Sequence, residues 1–202
     1  MIRPDAHVGG GSFVLRDLVL KNRSIRRFDP AVTVERATLR ELVDLARLSA
    51  SASNLQPLRY VLSAEPERNA AIFECLGWAG YLAGWPGPDE NERPAAYIII
   101  LGDRAIAPRI DCDHGIAAQS ILLGAAERGL GGCIIGSIQR ERLRRALDIP
   151  EQLDILLAIA LGKPAETVVI EPVGPDGSIR YWRDDDGVHH VPKRALDDIV
   201  LD

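Results

Sequence analysis

The chain has 202 residues, a formal net charge of -5 and an isoelectric point near 5.4, with 47% hydrophobic and 26% charged residues. That length suits one well-buried domain, and that composition lies far from the low-hydrophobicity, high-charge range of disordered chains. The net negative charge argues against a nucleic-acid-binding protein, because such binding needs a net basic surface.

No apolar run reaches the roughly 18 residues needed to cross a bilayer, and the N-terminus lacks the pattern of a signal peptide. We therefore expect a cytoplasmic protein without a membrane partner. Cys75, Cys112 and Cys133 are too widely spaced for a disulfide framework or a zinc knuckle, which predicts reduced thiols in the core. Residues 1–12 are predicted to form a flexible tail, and residues 13–202 a single domain.

Apolar residues at helical spacing predict the first two helices. The first begins at a predicted Ser12 cap and is expected to bury Phe13, Leu15, Leu18 and Val19. The second begins at a predicted cap on Thr33 or Thr38 and is expected to bury Leu39, Leu42, Val43 and Ala46.

Strand and helix patterns alternate through the rest of the chain. Strands are predicted at 58–62, 95–101, 131–138 and 155–161, and helices at 66–76, 113–128 and 140–147. The helix at 113–128 is apolar almost all round, with Asp113 as its predicted cap and Gly129 as its end. A hairpin is predicted between 168–171 and 179–182, and the apolar tail after Pro192 is expected to lie across another part of the fold or a partner protomer. The overall prediction is an α+β fold with about five strands and helices on both sides.

The basic turn Asn22-Arg23-Ser24-Ile25-Arg26 groups guanidinium and hydroxyl donors, which suit a phosphate monoester. Short basic runs are also common on solvated surfaces, so both interpretations stay open on this segment alone. Lys193 and Arg194 form a second basic pair far along the chain, and the two groups could converge on one phosphate.

The segment from Ser51 to Pro57 is dense in neutral hydrogen-bonding groups and includes Asn54 and Gln56. Amides both donate and accept, which suits the edge of a heterocycle or a ribityl chain. An ordinary loop that caps its own backbone explains the same residues equally well. The Gly-rich stretch 129–136 allows backbone to approach a ligand closely, but it lacks the dinucleotide-binding fingerprint.

The long segment 77–94 resembles a lid or binding loop and carries Trp78, Tyr81 and Trp85. These aromatic residues either pack the loop itself or cover a flat ligand and shape a substrate pocket. We predict no metal site, because Asp113 in Asp111-Cys112-Asp113-His114 is better explained as a helix cap. The adjacent histidines His189 and His190 point apart on an extended segment.

The order of these segments resembles the nitroreductase family of flavoproteins across about residues 13 to 200. The motifs that carry the resemblance are Arg23-Ser24-x-Arg26-x-Phe28, Ser51-Ala52-x-Asn54-x-Gln56-Pro57, Asp113-x-Gly115-x-Ala117-x-Gln119, Gly129-Leu130-Gly131, Leu161-Gly162-Lys163-Pro164 and the late basic pair. The sequence departs from the family at Asn22, where many members have a second arginine. It also departs at Ala50 and Leu58, where proline and tryptophan are frequent.

The resemblance implies that Arg23, Ser24 and Arg26 hold the phosphate and ribityl region of FMN, and that Lys193 and Arg194 approach the phosphate. It further implies that Ser51, Asn54 and Gln56 come from the partner protomer or line the ring edge. The backbone near Ile135 and Gly136 is expected to offer an N–H to flavin N5.

The resemblance also implies a nitroreductase-like fold, with a central, mostly antiparallel mixed sheet flanked by helices, in an intertwined homodimer. The implied activity is electron transfer from NAD(P)H through FMN to a nitroaromatic, a quinone or an activated alkene. FMN carries that chemistry, so no catalytic acid, base or nucleophile is expected in the protein. Reductive dehalogenation or flavin fragmentation on the same fold, and a non-enzymatic flavin-binding protein, remain alternatives.

Overall fold

The computed structural model describes residues 15–201, which contain five α-helices and seven β-strands. The helices are α1 (Leu15–Lys21), α2 (Arg36–Leu48), α3 (Pro66–Phe73), α4 (Asp113–Glu127) and α5 (Arg140–Leu147). The strands are β1 (Leu58–Ser63), β2 (Ala96–Asp103), β3 (Gly131–Ile135), β4 (Leu153–Gly162), β5 (Val168–Pro172), β6 (Trp182–Arg183) and β7 (His189–Lys193). The predicted tail 1–12, the Ser12 cap and Phe13 lie outside the described residues.

The central sheet has the strand order β1-β2-β4-β3, and all three neighbouring pairs are antiparallel. Beyond β3, Ser24 of the basic turn forms an isolated parallel bridge with Gly132. This arrangement confirms the predicted α+β class and the predominance of antiparallel pairing. It also attaches the basic turn directly to the edge of the sheet.

The central sheet is covered on both faces, as the continuous apolar run in β2 predicts. Alternate β2 residues face two different cores, since side chains alternate along a strand. Ala96, Ile98 and Ile100 pack with α2 and α4. Tyr97, Ile99 and Leu101 pack with α3, α5 and the basic turn.

The capping predictions for α2 and α4 are wrong. The residue before α2 is Glu35 rather than Thr33 or Thr38, and its side chain makes no capping hydrogen bond. Asp113 is the first residue of α4, after Cys112, and its carboxylate turns away to bind the 51–57 segment. Both helices are therefore stabilised by burial of their apolar faces rather than by a side-chain cap. Cys112 is exposed, which corrects the expectation of three core thiols, whereas Cys75 and Cys133 are free and buried.

Two apolar segments lack the burial expected of them. Helix α1 contains no buried residue, so the predicted burial of Leu15 and Val19 is wrong for the single chain. The C-terminal residues Leu196, Ile199 and Leu201 are exposed as well, after a short 3₁₀ turn at Leu196–Asp198. Both segments present apolar surface that nothing within residues 15–201 covers.

The C-terminal strands form a second sheet in the order β5-β7-β6. Strand β7 pairs parallel with β5 and antiparallel with β6. The predicted hairpin between 168–171 and 179–182 is therefore wrong, because β7 separates the two segments. Strand β7 contains the adjacent histidines and ends at Lys193. This composition is not typical of a strand, so no strand was predicted for the segment.

Candidate anion and cofactor site

The basic turn lies against β3 because a glycine allows a close approach there. The Ile25 N–H donates to the Gly132 carbonyl over 2.9 Å. A Cβ atom at Gly132 would stand 2.7 Å from a Leu122 methyl group and would also contact the Ala160 carbonyl. Any larger residue would push β3 away from β4 and α4, and the basic turn would move with it.

A buried carboxylate that was not recognised from the sequence fixes the backbone of the basic turn. Glu166 Oε1 accepts the N–H groups of Arg26 and Arg27, and Oε2 forms an ion pair with Arg183 over 2.9 Å. The Glu166 side chain is only 2% exposed. It follows the Lys163-Pro164 motif at the end of β4, but nothing in the sequence pattern distinguishes it from a surface glutamate.

Arg26 is a buried cation without a carboxylate partner among residues 15–201. The residue is 8% exposed. Its Nη1 donates to the Ser24 carbonyl at 3.3 Å and lies 3.4 Å from His189 Nε2. Its guanidinium carbon stands 5.0 Å from the centre of the Tyr181 ring. An unpaired buried charge is costly, so this guanidinium is suited to bind an anion.

A cleft of about 260 Å³ opens beside Arg26. It is lined by Asn22, Arg23, Ser24, Arg26, Gln119, Leu122, Ile134, Tyr181, His189, Val191 and Lys193. The structure thus brings together four of the predicted cofactor-binding residues, from positions 23, 24, 26 and 193. Arg194 is exposed and does not line this cleft.

Arg23 supplies a second partly desolvated guanidinium. Its Nη2 donates to the Val19 carbonyl over 2.7 Å, while its buried Nε has no hydrogen-bond partner within residues 15–201. Burial lowers the pKa of Arg23. The cleft therefore combines unsatisfied donors with positive charge, which is the chemistry that a phosphate group needs.

His189 and Tyr181 complete the inner wall of the cleft, and neither was assigned to the site from the sequence. Burial, together with the charge of Arg26, lowers the pKa of His189 to about 4. His190 points to the other side, as the alternation of an extended segment predicts. There it contacts Glu171 over 3.1 Å and Asp184 over 3.0 Å.

The 51–57 segment forms a tight turn anchored on α4. Ser51 Oγ donates to Asp113 Oδ2 over 2.5 Å, and the Ala52 N–H donates to Asp113 Oδ1 over 3.0 Å. Ser53, Asn54 and Gln56 have positive φ angles of 50°, 54° and 53°. Left-handed backbone at non-glycine residues is strained, and such strain is concentrated at functional sites.

Ser51 and Gln56 line a second cavity of about 570 Å³, separate from the cleft beside Arg26. Asn54 is exposed and lines neither of these two cavities. Tyr60 also lines the second cavity, and burial together with the charge of Asp113 raises the pKa of Tyr60 to about 12. Within one chain, the two predicted groups of cofactor ligands therefore do not share a pocket.

The end of β3 borders the cleft beside Arg26. Ile134 lines this cleft and is partly exposed, whereas Ile135 points into the core that contains α3 and α5. Gly136 follows at the exposed end of the strand. The predicted role of the Ile135 and Gly136 backbone toward a flavin stays a prediction.

The three aromatic residues of the 77–94 segment occupy different environments. Trp78 is buried in the core, with Gly87 against its ring. Trp85 packs on the same core beneath the Arg183 guanidinium, 4.9 Å away. Tyr81 is exposed, and its ring lies 5.0 Å from Tyr181, so it contacts a residue that lines the cleft.

Two further features are absent from the described part of the chain. Across residues 15–201, no group of three or more His, Cys, Asp or Glu side chains is arranged to hold a metal ion. The helices in that range are all too short or too polar to cross a membrane.

Comparisons with family models and with known proteins agree on one family. The nitroreductase family model matches residues 19–163. NADPH-flavin oxidoreductase of Vibrio harveyi is 25% identical over 173 residues, which cover 77% of this chain and 68% of that protein. NADH dehydrogenase of Thermus thermophilus is 29% identical over 181 residues, covering 73% of this chain and 85% of that protein.

Solved structures agree with the family model. An FMN-dependent nitroreductase from Clostridium difficile superimposes with a TM-score of 0.61 at 25% identity, over 73% of this chain and 86% of its own. A nitroreductase family protein from Streptococcus pneumoniae gives a TM-score of 0.68 at 16% identity, over 94% of this chain and 100% of its own. At that identity the second match shows the fold alone.

Proposed function

The chain belongs to the nitroreductase family, and we propose that it is an FMN-dependent NAD(P)H oxidoreductase whose cleft beside Arg26 holds the FMN phosphate. The observation that carries the proposal is the buried Arg26 guanidinium, which has no carboxylate partner among residues 15–201. The names of the similar proteins support the oxidoreductase class, and they include both an NADPH-dependent and an NADH-dependent activity.

The residues of the cleft fit a phosphate monoester. Arg23 and Arg26 supply guanidinium donors, Ser24 supplies a hydroxyl, and Lys193 supplies an ammonium at the end of β7. Because Glu166 holds the backbone on either side of Arg26, these donors are oriented before the ligand arrives. We assign Arg194 a secondary role, because its side chain does not line the cleft.

Bound FMN would supply the redox chemistry, taking hydride from NAD(P)H and passing electrons to a nitroaromatic, a quinone or an activated alkene. The protein residues bind and orient the cofactor. Trp78, Tyr81 and Trp85 either pack their own segment or shape the acceptor pocket. Among them Tyr81 is the strongest candidate for the pocket, because it contacts Tyr181 at the cleft.

We further propose a homodimer in which each flavin site uses both protomers. Ser51 and Gln56 line a different cavity from Arg26. In the proposed dimer, a flavin held between two chains would contact Arg26 of one chain and the 51–57 segment of the other. The exposed apolar residues of α1 and of the C-terminal segment provide surface for that association. Sedimentation at micromolar concentration tests this proposal, and a monomer would contradict it.

Flavin binding tests the assignment of the phosphate site. We expect Arg26→Met to weaken FMN binding at least tenfold in a fluorescence titration, because it removes the charge and keeps the apolar stem. Riboflavin has no phosphate, so its affinity should change little. The matched control is Arg145→Met, on the exposed face of α5 and outside both cavities. Equal losses for FMN and riboflavin would place the phosphate elsewhere.

A further inference from the structure

We propose that His189 is a positioning residue that holds the Arg26 guanidinium in the cleft without neutralising it, so that the site selects a phosphorylated flavin over riboflavin. This inference rests on the proposed function, since it concerns the same phosphate. It assigns a role to a residue outside the predicted set of ligands, and that role is selectivity between two closely related cofactors.

The geometry gives His189 one defined contact with the cation. Its Nε2 lies 3.4 Å from Arg26 Nη1. A guanidinium has no acceptor, so a hydrogen bond between the two groups requires Nε2 to be the unprotonated nitrogen. The ring proton is then on Nδ1, which is buried and has no hydrogen-bond partner within residues 15–201. His189 is 1% exposed, and its ring lies 5.2 Å from that of Tyr181. The Arg26 guanidinium carbon lies 5.0 Å from the centre of the Tyr181 ring, so the cation contacts both aromatic rings.

A carboxylate in the place of His189 would make a stronger contact but would neutralise the cation. Glu166, whose carboxylate accepts the Arg26 N–H, is already occupied by Arg183 and by two backbone N–H groups. The positive charge of Arg26 therefore remains available to a ligand. This charge strengthens the binding of a phosphate. The uncharged hydroxyl end of riboflavin gains only a hydrogen bond from the same guanidinium.

His189 has to remain neutral for this role. The charged or titratable groups that act on it are Arg26, Glu166 and Arg183, with Tyr181 against its ring, and the adjacent His190, which points to the other side of the strand. Burial and the positive charge of Arg26 lower the pKa of His189 to about 4. Near neutral pH it is therefore an acceptor and not a second cation.

Three substitutions separate positioning from simple packing. His189→Gln keeps a neutral acceptor, His189→Leu keeps bulk without an acceptor, and His189→Glu introduces a carboxylate beside Arg26. FMN and riboflavin dissociation constants are measured by fluorescence titration on the full chain, and the thermal midpoint of each variant is recorded. We expect His189→Gln to stay within about threefold of the wild type for both flavins. We expect His189→Glu to reduce the FMN to riboflavin preference at least tenfold, and His189→Leu to give an intermediate loss.

The outcomes distinguish the inference from the function on which it rests. If the wild type prefers FMN and His189→Glu keeps the same preference, the inference is wrong and the function stands. If Gln and Leu behave alike, His189 only fills space, and the inference is wrong again. Should His189→Glu fail to fold, the comparison of Gln with Leu decides. A wild type that binds neither flavin would refute both the proposed function and this inference.

A pH series gives an independent readout. The ratio of FMN affinities between the wild type and His189→Gln should stay constant from about pH 8 to pH 5.5, because His189 does not gain a proton in that range. Protonation of the FMN phosphate affects both proteins equally and cancels in the ratio. A ratio that changes near pH 6.5 would show that His189 carries a charge in the folded protein and would overturn the inference.

Discussion

Replacing Glu166 with Gln should destabilise the protein far more than its small change in shape suggests. One carboxylate oxygen accepts two backbone N–H groups of the basic turn, and the other pairs with Arg183 over 2.9 Å. A glutamine amide has one oxygen and one NH₂ group. In either orientation its NH₂ group would therefore face another donor, either the backbone N–H groups or the Arg183 guanidinium. Removal of one partner from a buried ion pair typically costs about 3–5 kcal/mol, and we expect a loss near the lower end because the isostere keeps one acceptor.

Urea unfolding measures that loss, with Glu92→Gln as the matched control. Glu92 pairs with Arg27 over 3.2 Å, but its side chain is 29% exposed, and such pairs contribute below about 1 kcal/mol. Glu166→Gln should also weaken FMN binding, because Arg26 loses its backbone anchor. If the free energy of unfolding falls no further for Glu166→Gln than for Glu92→Gln, the assigned role of Glu166 is wrong.

Two further predictions concern close packing and pH. Gly132→Ala should cost about 1–3 kcal/mol of unfolding free energy, because the added methyl group overpacks β3 against β4 and α4. Gly115→Ala, on an open face of α4, should be neutral or stabilising in the same urea assay. Hydrogen bonding to Asp184 and Glu171 raises the pKa of His190 in the folded protein. The protonated side chain therefore contributes stability that is fully present below its unfolded-state pKa, and this contribution is lost as the pH rises through its folded-state pKa. Replacement of His190 by Gln should therefore remove part of the pH dependence of the thermal midpoint, and an unchanged dependence would contradict this.

Much of the fold is predictable from hydrophobic periodicity. The β2 run is continuous because both faces of the strand are buried, and α4 is apolar nearly all round because it packs against α2 and the sheet. These signals are strong because burial acts on every turn or every second residue of the element. The nitroreductase resemblance, read from short motifs, is confirmed by the family model.

Two of the incorrect predictions share a physical cause, because tertiary contacts override the local signals at Asp113 and in β7. Asp113 has the chemistry of a helix cap, but its carboxylate binds the 51–57 segment instead. Strand β7 carries few strand-forming residues, and it forms because β5 and β6 supply partners on both sides. No local rule contains that information.

The residues of the candidate site also fall into two groups, those predictable from the sequence and those shown only by the structure. The basic turn and Lys193 were identified from residue type and motif, and the structure brings them to one cleft. Glu166 and His189 contact Arg26 across 140 and 163 positions of the sequence, respectively. Such contacts leave no periodic or motif signal in a single sequence, so only the folded arrangement shows them.

The oxidoreductase proposal is tested most directly by the visible spectrum of the FMN-loaded protein during anaerobic addition of NADH and then NADPH. We predict that the oxidised flavin bands bleach with at least one of the two donors and return when a quinone or nitroaromatic acceptor is added. A fully loaded protein that stays oxidised with both donors would contradict the oxidoreductase proposal.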